Sequence, residues 1–251
     1  GVLLDILSGE RIAPGDHRVV ITPWNKALSM TNMALHRRWH PGTVLGEGER
    51  VVCRMTGQHG YTVPAGEVTG GLDLYGYWSK WNSVERSRSE HSKKITEINR
   101  NITGILLLRG ALDELDIASG DPDRDLITAL RDEIDEQGKS LGGLPHSRKL
   151  ATVKHGAAWA ERFSTDPYDE RVMYVLLRLS EDHGDVPQGN RLVVRAAREQ
   201  FGAMKDMSKS RRERLGLPAL WDYGHCITTW ASQGGEWDDV IVLGAGWPEI
   251  Y

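Results

Sequence analysis

Near its C-terminal end the chain reads YGHCITTWASQGGEWDDVIVLG, residues 223 to 244. A β-forming run, Cys226-Ile227-Thr228-Thr229, meets the small polar segment Ser232-Gln233-Gly234-Gly235-Glu236, and a second apolar run, Val240-Ile241-Val242-Leu243, follows. Two strands this close, with glycine between them, read as a hairpin or as a strand-turn-strand connector. The segment is either an ordinary turn between strands or a site built to hold something, and what the rest of the chain supplies decides between them.

The remaining pattern is mixed. Arg18-Val19-Val20-Ile21-Thr22 reads as a buried strand after the turn Pro14-Gly15-Asp16, and Pro23 ends it. Residues 1 to 9 read as a helix end closed by Gly9. From Asn25 to Trp39, apolar residues at Leu28, Met33, Leu35 and Trp39 predict an amphipathic helix stopped by Pro41-Gly42. Glu49 to Met55 predicts a strand, and glycine-rich Val63 to Gly76 predicts short, bent strands of a small barrel or sheet. Ser83 to about Leu115 is helical in pattern. Asp121-Pro122 predicts a capped helix start, with Gly138 after the helix end. A further helix is expected over Ala151 to Phe163, then strands over Val172 to Leu179 and Leu192 to Ala196. The helical block looks inserted between β segments.

Composition narrows the function classes. The 251 residues can bury a sizeable core as one large or two small domains. No apolar run approaches the roughly 20 residues that cross a bilayer. Cys53 and Cys226 lie far apart, which indicates neither a disulfide framework nor a zinc site and predicts two buried, unreactive thiols in a reducing compartment. A formal charge of -4 argues against a chain that coats nucleic acid non-specifically but leaves room for a local basic track. Arg37-Arg38, Lys93-Lys94 and Lys205 to Arg214 are candidate clusters, with solvated surface as their default reading. The start has neither an initiator Met nor a signal pattern, so a piece of a longer protein is expected.

Several motifs are decoys. Gly138-Lys139-Ser140 imitates the end of a phosphate loop, but Glu133 stands where a glycine is needed and a helix precedes it instead of a strand. Leu112-Asp113-Glu114 imitates a magnesium-binding strand end with no phosphate loop before it. His36 and His40 have metal-ligand spacing but no third ligand, which favours a surface or capping role. No self-contained catalytic constellation stands out.

The stretch Cys226-Ile227-Thr228-Thr229-Trp230-Ala231-Ser232-Gln233-Gly234-Gly235-Glu236-Trp237-Asp238 resembles motif V of superfamily 1 helicases of the RecD-like and Dda-like branch, where the pattern runs A-I-T-x-H-K-S-Q-G-S-E-F-D. Three weaker echoes occur in the family's order. Val19-Val20-Ile21-Thr22-Pro23-Trp24-Asn25 with Asn32 resembles the "vltPtN…lN" opening of the second RecA-like domain. Gly48-Glu49-Arg50-Val51-Val52 resembles its "GDrVi" strand, and Val63-Pro64-Ala65-Gly66-Glu67-Val68-Thr69-Gly70 its "vfNGdiG" entry into a small β-barrel.

The resemblance implies an α/β fold: a partial RecA-like parallel sheet domain (1–60 and 217–251, lacking motif VI), interrupted by a small β-barrel (61–77 and 170–216) that carries a helical insertion (78–169). It implies the C-terminal portion of an ATP-dependent DNA helicase, moving 5′ to 3′, with no ATP hydrolysis by this chain alone. ATP and Mg belong to the full-length protein and are not expected bound here. Single-stranded DNA and an N-terminal RecA-like domain are the implied partners, with a protein partner for the insertion, no membrane, and a bacterial or phage-infected cytoplasm. Gln233, Gly234, Gly235 and Glu236 are expected at the ATP cleft, with Glu236 accepting from the ribose hydroxyl. Thr22, Trp24, Asn25, Thr228 and Trp230 are expected at DNA, Thr228 through its hydroxyl and adjacent backbone N–H groups. Trp230 replaces the family's His and either stacks on a base or sugar or is core; Trp24 is either at the strand-contact loop or buried. Ala231 replaces the family's Lys, which weakens phosphate contact or coupling. The alternative is a non-enzymatic DNA- or protein-docking module built on a degenerate helicase domain.

Overall fold

The computed structural model describes residues 18–54, 60–63, 65–68, 71–110, 121–144, 157–180, 188–232 and 237–243. The chain divides into two compact units, Gly1–Trp78 with Arg148–Tyr251, and Ser79–Ser147.

The first unit contains two sheets. Strands β1 (Arg18–Thr22), β8 (Cys226–Thr228) and β9 (Asp239–Val242) form a parallel sheet in the order β8-β1-β9. The registers are Val20 to Cys226 and Thr22 to Thr228 on one side of β1, and Val19 to Val240 and Ile21 to Val242 on the other. The apolar run of β1 follows from its central place, because both faces are covered. Val20 and Cys226 pack with Leu28 and Leu35 of helix α1 (Asn25–Trp39), while Val19, Ile21 and Ile227 pack with Ala231 and Trp237. Ala231 and Trp237, the described residues of the β8–β9 connection in this cluster, therefore lie over one face of the sheet as α1 covers the other. β8 and β9 run parallel and flank β1, which excludes a hairpin between them.

The second sheet is antiparallel, with six strands in the order β3-β6-β5-β4-β2-β7. These are β2 (Glu49–Cys53), β3 (Tyr61–Val63), β4 (Ala157–Thr165), β5 (Val172–Leu179), β6 (Arg191–Ala197) and β7 (Trp221–Tyr223). Val51, Met173, Val175, Leu177, Leu192, Val194, Trp221 and Tyr223 close one face into the largest apolar cluster. Burial of each such side chain contributes about 1.5–3 kcal/mol before the entropic cost of ordering it.

β7 runs directly into β8, so one short segment serves both sheets. Gly224 N donates to Arg50 O at 2.8 Å and Val20 N to His225 O at 3.2 Å. A Cβ on Gly224 would lie 3.0 Å from the carbonyl carbon of Val51, so a larger residue here presses on the β2 backbone. The short helix α4 (Lys209–Leu215) is capped by Ser208 and ends at Gly216, whose φ of 60° suits the left-handed closing position.

Helix α2 (Leu74–Gly110) begins in the first unit, and its remainder makes the second unit with α3 (Pro122–Gly142). Ile98, Ile102 and Ile127 form its core with Ile105, Leu130 and Ile134 at helical spacing. Asp121 accepts from Asp123 N at 2.8 Å ahead of Pro122, the cap the sequence predicts.

Four expectations are corrected. Ala157 to Phe163 is part of strand β4, not helix: Ala157, Ala158 and Ala160 suit a helix in isolation, but β4 pairs with β2 on one side and β5 on the other, and pairing overrides propensity. Residues 63 to 76 hold the end of β3, a 3-10 turn at Ala65–Glu67 and the first turn of α2, whose buried Leu74, Tyr77 and Trp78 have helical spacing. Gly138 lies inside α3, which continues to Gly142 with Gly143 as its cap. Strands β2, β4 and β7, allotted from sequence to the motor portion and the insertion, pair instead in the six-stranded sheet. The stretches 1–9 and 112–114 lie outside the described residues.

Candidate functional site at the parallel-sheet edge

The carboxyl ends of β1 and β8 are adjacent because the strands are parallel neighbours in register through Thr22 and Thr228. Side chains just beyond these ends are thereby gathered at one edge, the position where open α/β sheets bind ligands. On the β1 side, Pro23 and Trp24 lead into α1, and Trp24 holds the N-cap position in extended conformation without capping the helix through its side chain. Trp24 is 40% exposed and Asn25 is exposed beside it. Burial, the alternative reading of Trp24, is excluded.

On the β8 side, Thr228 organises the turn. Its hydroxyl accepts from Ala231 N at 3.1 Å and its carbonyl from Ser232 N at 3.0 Å, while the Ser232 hydroxyl donates to Thr229 O at 2.8 Å. A threonine hydroxyl that accepts one bond retains its own proton to donate. Trp230 projects from this turn and is 73% exposed, which excludes the core reading. Thr229 N donates to Thr22 O at 3.0 Å, tying the two strand ends together. Thr22 itself is fully buried, and its hydroxyl has no hydrogen-bond partner among the described residues.

Five residues singled out in sequence are thus brought to one edge: Thr22, Trp24, Asn25, Thr228 and Trp230. The expected nucleotide residues Gln233, Gly234, Gly235 and Glu236 lie outside the described residues. Two tryptophans, an asparagine and the Thr228 hydroxyl proton can stack on rings and hydrogen-bond to an anion.

Behind the edge stands a polar network that sequence reasoning missed. Glu49, fully buried at the start of β2, accepts from His36 Nδ1 at 2.7 Å, His225 Nε2 at 3.3 Å and Gly46 N at 2.7 Å. His36 is therefore a buried ionic partner, not the surface or capping residue its spacing with His40 suggested. Burial alone would raise the Glu49 carboxyl; the bonds from His225 and His36 overcome it and bring it down to about 2. Desolvation pushes fully buried His225 below its usual value despite its bond to Glu49. Asn32, two turns into α1, accepts from Cys226 N at 2.7 Å and donates to Tyr223 O at 2.9 Å and Cys226 O at 3.0 Å. The available signal was the "lN" echo for Asn32; nothing in the pattern marks Glu49 as a buried anion.

Asp222 of β7 accepts from Gly202 N at 2.7 Å and pairs with Arg54 at 3.0 Å, with burial pushing its carboxyl upward. Both cysteines are buried thiols outside any disulfide, and burial pushes the Cys226 thiol up to about 12, so it is inert. Among the described residues no cluster of three or more His, Cys, Asp or Glu is arranged for a metal, and no helix is long and apolar enough to cross a membrane. Comparison of the chain with protein-family models, curated proteins and solved structures returned no match.

Proposed function

We propose that this chain contributes single-stranded DNA contacts and part of an ATP cleft to an ATP-dependent DNA helicase or translocase of superfamily 1, as the second RecA-like portion of the motor. The observation that carries this reading is the adjacency of Thr22-Pro23-Trp24-Asn25 and Thr228-Thr229-Trp230 at the carboxyl edge of one parallel sheet. The motif V resemblance supplies the chemistry: the Thr228 hydroxyl meets a phosphate, and the exposed Trp24 and Trp230 stack on bases. Gln233, Gly234, Gly235 and Glu236 face the nucleotide on the same reading, and ATP with Mg requires the partner RecA-like domain.

Titration of a fluorescein-labelled oligothymidylate of about 25 nucleotides, followed by anisotropy, tests the DNA half of the proposal. Loss of one stacked base costs about 1–3 kcal/mol, so Trp230→Ala should weaken binding by roughly 5- to 150-fold. Failure of the unaltered chain to bind at low salt, or affinity unchanged from the unaltered chain in both the Trp24→Ala and Trp230→Ala variants, overturns it. DNA-stimulated ATP hydrolysis in the complete protein tests the nucleotide half.

One observation favours the second reading, a protein-docking module. Leu106, Leu107, Leu108 and Leu126 of the helical unit are exposed, a denser apolar surface than a solvated helix carries. A complete protein that binds partners through this unit while lacking ATP hydrolysis would decide for it.

A further inference from the structure

The turn from β4 into β5 is fixed from several sides. Asp166 N donates to Val172 O at 2.9 Å and Val172 N to Asp169 O at 3.0 Å, which closes the turn at its base. Buried Asp166 accepts from Tyr168 N at 2.9 Å through Oδ1, and through Oδ2 from the Tyr174 hydroxyl at 3.0 Å and Arg195 Nη2 at 2.9 Å. Arg195 donates through Nη1 to Leu215 O at 2.6 Å, so the turn is tied across the sheet to the end of α4. On the outer side Arg171 grips Asp169 with Nε and Nη2, both at 2.8 Å. Pro167 fixes one further backbone angle.

These bonds leave Tyr168 at the tip, 82% exposed, the most exposed large apolar side chain among the described residues. Its ring meets Tyr75 edge-on at 5.5 Å, and Tyr75 meets buried Tyr174 at 5.6 Å. An edge-type contact occupies at most one face of a ring, so Tyr168 keeps a face open. Holding an exposed ring still before anything binds removes part of the ordering cost of binding.

The surroundings decide between kinds of occupant. The charged residues of the turn and those bonded to it are Asp166, Asp169, Glu170, Arg171, Arg195 and Arg198, equal in each sign, so this set has no excess charge to draw a phosphate. The neighbours of Tyr168 in the turn are charged, which denies a protein partner the contiguous apolar patch that surrounds a hot spot. A flat ring held open in a neutral setting suits another flat ring, and every nucleobase has one.

We propose that Tyr168 is a stacking platform for a nucleobase of a single strand, carried by the six-stranded sheet. The proposal rests on the nucleic-acid reading above, through a residue and a sheet which that reading does not use.

Anisotropy titration of the labelled oligothymidylate tests it. Tyr168→Ala should weaken binding by roughly 5- to 150-fold, the loss of one stacked base. The slope of log K against log salt between about 50 and 200 mM should stay as in the unaltered chain, because no phosphate contact is removed. Tyr168→Phe keeps the ring and should keep the affinity. An iododeoxyuridine-substituted oligothymidylate irradiated on the unaltered chain should crosslink to the peptide that carries Tyr168; this arm does not depend on the folding of a variant. Unchanged affinity in Tyr168→Ala, an equal loss in Tyr168→Phe, a lowered salt slope, or no crosslink at that peptide overturns the proposal. If Trp24→Ala and Trp230→Ala weaken binding while Tyr168→Ala does not, the parallel-sheet edge stands and only this platform falls. Absence of binding by the unaltered chain at low salt removes both.

Discussion

His36 and Glu49 form an ion pair in which the histidine carries two protons. Its Nδ1 lies 2.7 Å from Glu49 Oε1 and its Nε2 lies 2.8 Å from the carbonyl oxygen of Thr43. Both partners are acceptors, so both ring nitrogens donate and the ring is an imidazolium. Burial pushes His36 down, but the hydrogen bond and charge of Glu49 together with the Thr43 carbonyl outweigh it, and the group titrates above its ordinary 6.5. His40 and Tyr223 stack on the His36 ring, and Arg37 opposes its charge.

Stability should fall on both sides of a pH window. A raised histidine contributes fully below its unfolded value of 6.5, and the contribution is lost as pH rises through the folded value. Glu49 contributes above its unfolded 4.5 and is lost as pH falls toward about 2. Fully buried His225, pushed below 6.5, acts in the opposite sense over this range. In urea unfolding at about pH 6 and about pH 8.5, His36→Gln should therefore remove the alkaline loss and leave the gain that His225 contributes as pH rises. An alkaline loss of equal size in His36→Gln would assign it to another group.

Removing Glu49 leaves His36 buried without its counter-charge. Breaking a buried pair from one side costs about 3–5 kcal/mol, so Glu49→Gln should lower unfolding free energy by about that amount at about pH 6. The cost should shrink as pH rises and His36 loses its proton. A pH-independent cost in chemical denaturation would contradict the charge assignment.

Asn32→Ala removes three buried hydrogen bonds at once and orphans the backbone groups of Tyr223 and Cys226 where β7 passes into β8. Each orphaned buried group costs about 1–3 kcal/mol, and a total loss of about 3 kcal/mol or more is expected. Hydrogen exchange at the Cys226 amide should accelerate with it; retained protection would show that another acceptor replaces Asn32.

Two glycine substitutions should act in opposite directions. Gly224→Ala drives a methyl against the Val51 backbone and should cost about 1–3 kcal/mol. Gly104→Ala lies within α2, where a Cβ meets nothing within 4 Å, and should stabilise by about 0.5–1 kcal/mol. Thermal melts of the two variants check both signs.

Thr228→Val removes the acceptor for Ala231 N while keeping the side-chain shape. Loss of such a cap costs about 1 kcal/mol, and it loosens the turn that presents Trp230. DNA affinity should fall in anisotropy titrations, and Thr228→Ser should restore it. Equal affinity in Thr228→Val would remove this hydroxyl from the site.

The elements legible in the sequence are those whose local pattern matches their burial. β1 and α1 were read with their observed bounds, because a continuous apolar run between Pro and Gly signals has a single reading when both of its faces are covered. β4 was misread because alanine carries little information about partners, and the strands on either side decided its state. Glu49 and His225 were invisible as a pair because they stand 176 residues apart and meet only when β7 returns beside β2.

The sequence by itself determined the periodicities, the Asp121 cap, the burial of both cysteines and the motif between residues 226 and 238. Only the tertiary structure decided that β1, β8 and β9 lie parallel in one sheet, that Trp24 and Trp230 are exposed at that edge, and that Arg195 reaches Asp166 beneath the turn that presents Tyr168. The physical reason is that strand pairing and side-chain exposure depend on partners distant in sequence, whereas turns, caps and periodic faces are set by neighbours within a few residues.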